Sequence, residues 1–268
     1  MTETIKPLFP NAVTMMALAF GVSSMNMAFW GNWPMAVCCI MLAGFFDFMD
    51  GKVARALGVS SRFGAELDSL SDFVSFGVAP GFLMYNWTMN QEARAVVWKN
   101  MEQQAHLLDF YWVDAVGVYW GCVLFLAVCC ASRLARFNTM LDTKQPTYWT
   151  HFFMGVPAPA GAGLALFPLI LWLAFGNGDS ESVFRSVPFV TFFVIFAGVM
   201  MASRIPTVCL KHLHLGKTIG SLVGFAVLAF ICGIVSCPWV TLSILGIAYL
   251  ISIPIGIYVF LTLKRKSK

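Results

Sequence analysis

The sequence predicts an all-α fold, a polytopic integral membrane helix bundle of about eight transmembrane helices, and three observations carry that expectation. Apolar residues make up 59% of the 268 residues and charged residues only 11%, against roughly 45–50% and 25% in soluble domains. Mean hydropathy is +0.77. The apolar residues also gather into runs long enough to cross a bilayer. Eight spans of about 20 residues would take up roughly 160 residues, which leaves no room for a soluble domain, so residues 1–268 read as a single membrane domain. A globular cytosolic enzyme, a disordered chain and a nucleic-acid binder are excluded, because the net charge of +4 is small and spread along loops.

In chain order the apolar runs fall at about 12–29, 33–50, 68–88, 112–131, 154–175, 187–202, 219–236 and 239–262, separated by connections such as GNWP, GNGDSES and SCPW. The first run lacks a small-residue cleavage site and reads as a span rather than a removable signal. The segment at about 89–111 has mixed charge and fits a surface helix. Only Cys237 and Pro238 divide the last two runs.

Basic residues set the orientation, because they concentrate in cytoplasmic loops. With the N-terminus inside, of the 17 Lys and Arg residues only Arg94, Lys99 and Arg185 fall on the outer side. Both termini are therefore expected in the cytoplasm. The eight cysteines lie mostly inside apolar runs, in adjacent pairs or singly, and read as small buried hydrophobes rather than a disulfide framework. Cys209, His212 and His214 lack a fourth ligand and fit a solvated loop better than a zinc site.

Four acids break the apolar pattern. Asp47 and Asp50 are three residues apart, Asp68 and Asp72 four apart, so each pair shares one helix face. The short connection LGVSSRFG makes the two helices antiparallel neighbours, so that four carboxylates can converge in one cleft at the cytoplasmic ends. An aspartate at mid-membrane costs about 2.5–3.5 kcal/mol on insertion scales, and like charges this close need a cation to remain ionised together. Oxygen-only ligands select hard ions such as Mg²⁺, Mn²⁺ or Ca²⁺. Gly51, Ala54, Gly58, Gly64 and Ala65 surround the acids with small residues that admit a close neighbour, and Lys52 and Arg55 add positive charge suited to phosphate. A structural ion-pair network, or the ion path of a cation transporter, is the alternative. The transporter would favour matching acids in two halves, yet beyond residue 150 the acids are only Asp179 and Glu181.

The spacing D-x2-D-G-x2-A-R-x8-G-x3-D-x3-D, from Asp47 to Asp72, resembles the signature of the CDP-alcohol phosphatidyltransferases. That resemblance implies metal-dependent transfer of a phosphatidyl group from a CDP-linked lipid to an alcohol, with release of CMP, by a helix bundle that is usually a homodimer. It implies that Asp47, Asp50, Asp68 and Asp72 hold two divalent cations, Mg²⁺ or Mn²⁺, and that Asp72 is also the general base. Gly51, Ala54, Arg55 and Gly64 would bind the CDP-lipid. The runs LDSLSDFVSFGVAP (67–80), ASRLARFN (131–138), FMGVPAPA (153–160) and SRIPT (203–207) are similar to the bacterial and archaeal phosphatidylserine synthases. The similarity spans a catalytic core of about 10–220, with additional helices at about 219–262. It implies a prokaryotic inner-membrane enzyme whose active site faces the cytoplasm, taking CDP-diacylglycerol and L-serine, with Arg133, Arg136 and Asn138 at the acceptor. Choline, glycerol 3-phosphate or an inositol derivative are the alternative acceptors. On the residues alone, Arg133 and Arg136 fit positive-inside anchors or lipid-phosphate binders better than an acceptor site, whereas FMGVPAPA fits a proline-broken helix entry, and SRIPT an interfacial helix end, as well as substrate contact.

Overall fold

The computed structural model describes residues 8–58, 61–89, 115–140, 152–176, 183–203, 205–208 and 228–266. The surface helix expected at about 89–111 and the Cys209, His212 and His214 group lie outside the described residues, apart from Met89.

Helix α1 (Leu8–Phe29) and α2 (Trp33–Leu57) form an antiparallel hairpin. Its turn uses Gly31 at φ 74°, and the Asn32 side chain caps α2 by accepting from the Met35 amide at 3.3 Å. Gly58, in the left-handed conformation, ends α2 by donating its amide to the carbonyls of Ala54 and Arg55. Ser61 then starts α3 (Arg62–Asp72), its hydroxyl accepting from the Gly64 amide at 3.0 Å. The helix does not stop at Asp72. It widens into a π segment over Phe73–Val78 and continues as α4 (Ala79–Thr88). Next come α5 (Ala115–Met140), strand β1 (Phe152–Met154), α6 (Ala158–Ala165), α7 (Phe167–Phe175), α8 (Val187–Ala202), strand β2 (Pro206–Val208), a helical stretch at 228–236 and α9 (Pro238–Lys266).

Among the described residues, α1, α2, α5 and α9 are long and apolar enough to cross a membrane. Helices α6 and α7 make a fifth candidate span bent by 50°. Pro168 lies in the first turn of α7, where a missing amide is tolerated, so the run expected at 154–175 breaks there instead of continuing straight. The run expected at 187–202 is the 16-residue helix α8. Helices α2 and α5 both extend beyond their apolar runs, by 7 and 9 residues, because their polar ends carry the charged motif residues.

The one non-helical element among the described residues is an antiparallel ribbon pairing Phe152 with Val208, Phe153 with Thr207 and Met154 with Pro206. The FMGVPAPA and SRIPT runs are thus partners in space. Gly155 follows β1 at φ 79°, and a Cβ there would fall 2.7 Å from the Ser203 carbonyl oxygen, so only glycine makes this turn. Its amide donates to the Ile205 carbonyl, and that of Val156 donates to Met200.

The core is built from Phe76, Leu83, Met84, Trp87, Tyr119, Leu126, Leu164 and Leu169, all almost wholly buried. Large apolar side chains such as Phe9, Val128, Phe192 and Ile244 point outward, as expected where lipid is the solvent. Lipid is as apolar as the core, so close packing rather than water exclusion holds these helices together. At Gly21 a Cβ would lie 2.9 Å from Ser75 Cα, and at Gly77 2.9 Å from Cys130 Cβ. Small residues therefore draw the segment around Asp72 tightly against both α1 and α5. Cys39, Cys122, Cys129 and Cys130 are buried as expected, Cys38 is half-buried, and Cys232 and Cys237 are exposed.

Candidate active site

Asp47 and Asp50 lie in the last three turns of α2, Asp68 and Asp72 in the second half of α3. The short α2–α3 connection folds the two pairs toward each other. Carboxylate oxygens of Asp47, Asp50 and Asp68 all lie within 4.8 Å of one another. That spread suits oxygens converging on a cation at ligand distances of about 2.0–2.6 Å, so the donor set fits the divalent ions that the sequence implies. Asp72 stands outside this trio but within hydrogen-bonding reach of Asp47. Its Oδ1 is buried and has no hydrogen-bond partner among the described residues. A carboxylate oxygen left buried and unpaired is poised to accept a proton or a ligand.

A cleft of about 200 Å³ opens beside the acids. From the motif, Asp50, Gly51, Ala54, Gly64, Ala65 and Asp68 line it. The Arg55 guanidinium folds back along α2, such that a Cβ at Gly51 would meet its Nη1 at 3.6 Å. Lys52 instead stands over the exposed Phe48 ring, 4.1 Å from its centroid.

The opposite wall comes from α1: Pro10, Asn11 and Thr14. Sequence reasoning missed these three residues. The Thr14 hydroxyl donates to Asp50 Oδ2 at 2.6 Å, and Ser71 Oγ donates to the Thr14 carbonyl at 3.3 Å. A Cβ at Gly64 would come within 2.9 Å of Asn11 Oδ1, so the motif glycine is what lets α1 approach. The available signal was an Asn and a Thr one turn apart, after a proline, at the start of the first span.

The three acceptor candidates on α5 separate. Arg133 is partly buried and bears electrostatically on Asp47 and Asp72. Arg136 turns toward α8, where its Nη1 donates to the Ala202 carbonyl at 2.8 Å. Asn138 reaches α3: its Nδ2 donates to Ser69 Oγ at 2.9 Å, between Asp68 and Asp72 in the sequence. Arg133 thus faces the acids, whereas Arg136 and Asn138 brace the helices around them.

Three of the four acids gather beside a cleft, with the fourth next to them, and comparison with known proteins decides the family. The family model described as CDP-alcohol phosphatidyltransferase matches residues 7–253. This chain belongs to that family. As a CDP-alcohol phosphatidyltransferase it is a transferase of phospholipid biosynthesis and an integral membrane protein, which displaces the cation-transporter alternative. Similar proteins include the CDP-diacylglycerol--serine O-phosphatidyltransferase of Mycobacterium leprae (strain TN), 34% identical over 255 residues, covering 94% of this chain and 75% of the relative. The protein of the same name from Helicobacter pylori (strain ATCC 700392 / 26695) is 31% identical over 200 residues, 74% of this chain and 70% of the relative. That of Methanocaldococcus jannaschii is 40% identical over 123 residues, 46% and 44% of the two chains.

Proposed function

We propose that this phosphatidyltransferase is a phosphatidylserine synthase, joining the phosphatidyl group of CDP-diacylglycerol to the hydroxyl of L-serine with release of CMP. The observation that carries this reading is the likeness to proteins named for serine over nearly the whole chain, supported by a partly buried arginine, Arg133, that bears electrostatically on the acid proposed as base. The enzyme works as a homodimer with eight spans in a prokaryotic inner membrane. Both termini and the cleft face the cytoplasm, as the distribution of basic residues favours.

Asp47, Asp50, Asp68 and Asp72 would hold two divalent cations, Mg²⁺ or Mn²⁺, which when bound polarise a diphosphate and stabilise the departing CMP. The cleft walls take the cytidine end of the donor, with Gly51, Ala54 and Gly64 giving a flat surface and Arg55 available to phosphate oxygens. Thr14 fixes the Asp50 carboxylate in one orientation. An alcohol has a pKa far above 7 and needs a base within reach as it attacks. Asp72 Oδ1, buried and unpaired, accepts that proton. The serine oxygen then bonds to the phosphatidyl phosphorus as the bond to CMP breaks. Arg133 answers the acceptor carboxylate, Arg136 contributes through the guanidinium nitrogens not bound to Ala202, and Asn138 orients the helix that carries the base.

The test is an acceptor panel. Purified protein with CDP-diacylglycerol should release CMP with L-serine, and not with choline, glycerol 3-phosphate or an inositol derivative. Release with one of the others and none with serine would replace the acceptor while leaving the reaction class intact.

A further inference from the structure

A serine hydroxyl inside a helix ordinarily donates to the carbonyl four residues back. Ser69 does so, reaching the Ala65 carbonyl at 3.1 Å. Ser71 and Ser75, both almost wholly buried, cross instead to α1. Ser71 Oγ donates to the Thr14 carbonyl and Ser75 Oγ to the Ala17 carbonyl, each at 3.3 Å. Two bonds to neighbouring turns of α1 fix how far the acid-bearing helix slides along it, because a slip of one residue, about 1.5 Å, breaks both.

The two tethers differ in what lies beyond them. Ala17 has no polar side chain to pass the contact on. Thr14 has a hydroxyl with one proton and two acceptors in reach: the Pro10 carbonyl of its own helix at 3.1 Å, and Asp50 Oδ2 on α2 at 2.6 Å. Only the second choice serves the acid cluster. A small shift of α1 away from α2 returns the hydroxyl to Pro10, the local acceptor that a helical threonine always has at hand, and leaves a buried carboxylate oxygen without its donor. Thr14 is thus bonded to α3 through its backbone and to α2 through its side chain, and the bond from α3 comes from the residue that precedes Asp72.

We propose that Ser71 is a positioning residue for the acid cluster: acting through Thr14, it keeps the Thr14 hydroxyl on Asp50 and so holds the acids of α2 and α3 at the spacing a divalent cation requires. The proposal rests on the divalent-cation reading above and adds to it a residue that contacts neither cation nor substrate. Ser75 makes the same kind of bond between the same two surfaces and leads to no acid, which makes it the matched control.

Mn²⁺ binding to the full chain in detergent, without substrate, tests this, with free Mn²⁺ followed by its EPR signal. Ser71→Ala should raise the Mn²⁺ Kd about three- to tenfold, as for one lost hydrogen bond. Ser75→Ala should leave it within about twofold, although both changes lower the thermal midpoint. In a Thr14→Val background, where the bond to Asp50 is already gone, adding Ser71→Ala should change the Kd by less than about twofold. Ser71→Cys, which keeps a weak donor at similar size, should give an intermediate Kd and is read alone if Ser71→Ala does not fold. An unchanged Kd in Ser71→Ala, or in Ser71→Cys when it is read alone, would overturn the relay. An equal rise in Ser75→Ala, or an equal further rise in the Thr14→Val background, would overturn it too, by showing a general loosening of the bundle. Wild-type protein that binds no Mn²⁺ would instead overturn the divalent-cation reading, and the relay with it.

Discussion

The Thr14 hydroxyl donates a 2.6 Å hydrogen bond to Asp50 Oδ2 from a helix 36 residues away in the chain. This bond makes α1 part of the acid cluster and presets one carboxylate before any ligand arrives. Thr14→Val keeps the shape and removes the donor. Leaving a buried carboxylate oxygen unpaired costs about 1–3 kcal/mol, so the divalent-cation concentration for half-maximal CMP release should rise roughly 5- to 150-fold. A metal titration of activity checks this.

Three carboxylates within 4.8 Å of one another repel unless a cation lies among them. Chelation should abolish CMP release, and excess Mg²⁺ or Mn²⁺ should restore it. Asp47→Asn, Asp50→Asn and Asp68→Asn should each lower activity by at least about 100-fold through loss of metal-held charge stabilisation. Full activity of the wild-type enzyme in excess chelator would refute the metal assignment.

Asp72 differs from the trio in keeping a buried oxygen with no hydrogen-bond partner among the described residues. Asp72→Asn should reduce kcat by about 10²–10⁴-fold, the usual range for a missing general base. Binding of CDP-diacylglycerol, measured directly on the purified variant, should survive.

Arg136 and Arg133 should respond differently to lysine. Arg136 donates to the last-turn carbonyl of α8, so Arg136→Lys should lower the thermal midpoint of the detergent-purified protein, at about 1 kcal/mol for one hydrogen bond. Arg133→Lys should chiefly raise the serine KM, because lysine keeps the charge and loses the planar fork.

Gly21 touches the backbone of Ser75. Gly21→Ala should therefore destabilise the bundle by about 1–3 kcal/mol, as overpacking does. Because the contact adjoins Asp72, kcat should fall along with stability, which a thermal melt and an activity assay on the same preparation would read.

The acid pairs were legible in the sequence because helical spacing alone puts Asp47 with Asp50 and Asp68 with Asp72, and a short connection leaves the two helices few ways to pack. Thr14 and Asn11 were not legible, since nothing local ties them to acids far along the chain; only the packing of α1 on α2 does. The pairing of FMGVPAPA with SRIPT was hidden for a different reason. Strands of three residues are shorter than any alternation pattern. Spacing puts Arg133 and Arg136 on one helix face but does not give their partners: the Arg136 guanidinium donates to the Ala202 carbonyl on α8, a contact made only by the packing of α5 on α8.

The π segment at Phe73–Val78 makes helix phase a working dimension of this enzyme. In an ordinary α-helix each residue turns the next by about 100°, so one residue added or lost swings everything beyond it onto another face. Here the wider turn absorbs its extra residue between two surfaces with separate duties. Before it, Asp68 and Asp72 must look toward α2; within and after it, Gly77 and Gly81 must look toward Cys130 and Val123 on α5. Deleting one residue between them would leave both halves helical and still rotate the chemistry away from its scaffold. The length of this stretch is thus held as tightly as its packing, and a single-residue gap there should cost activity even where every remaining side chain is unchanged.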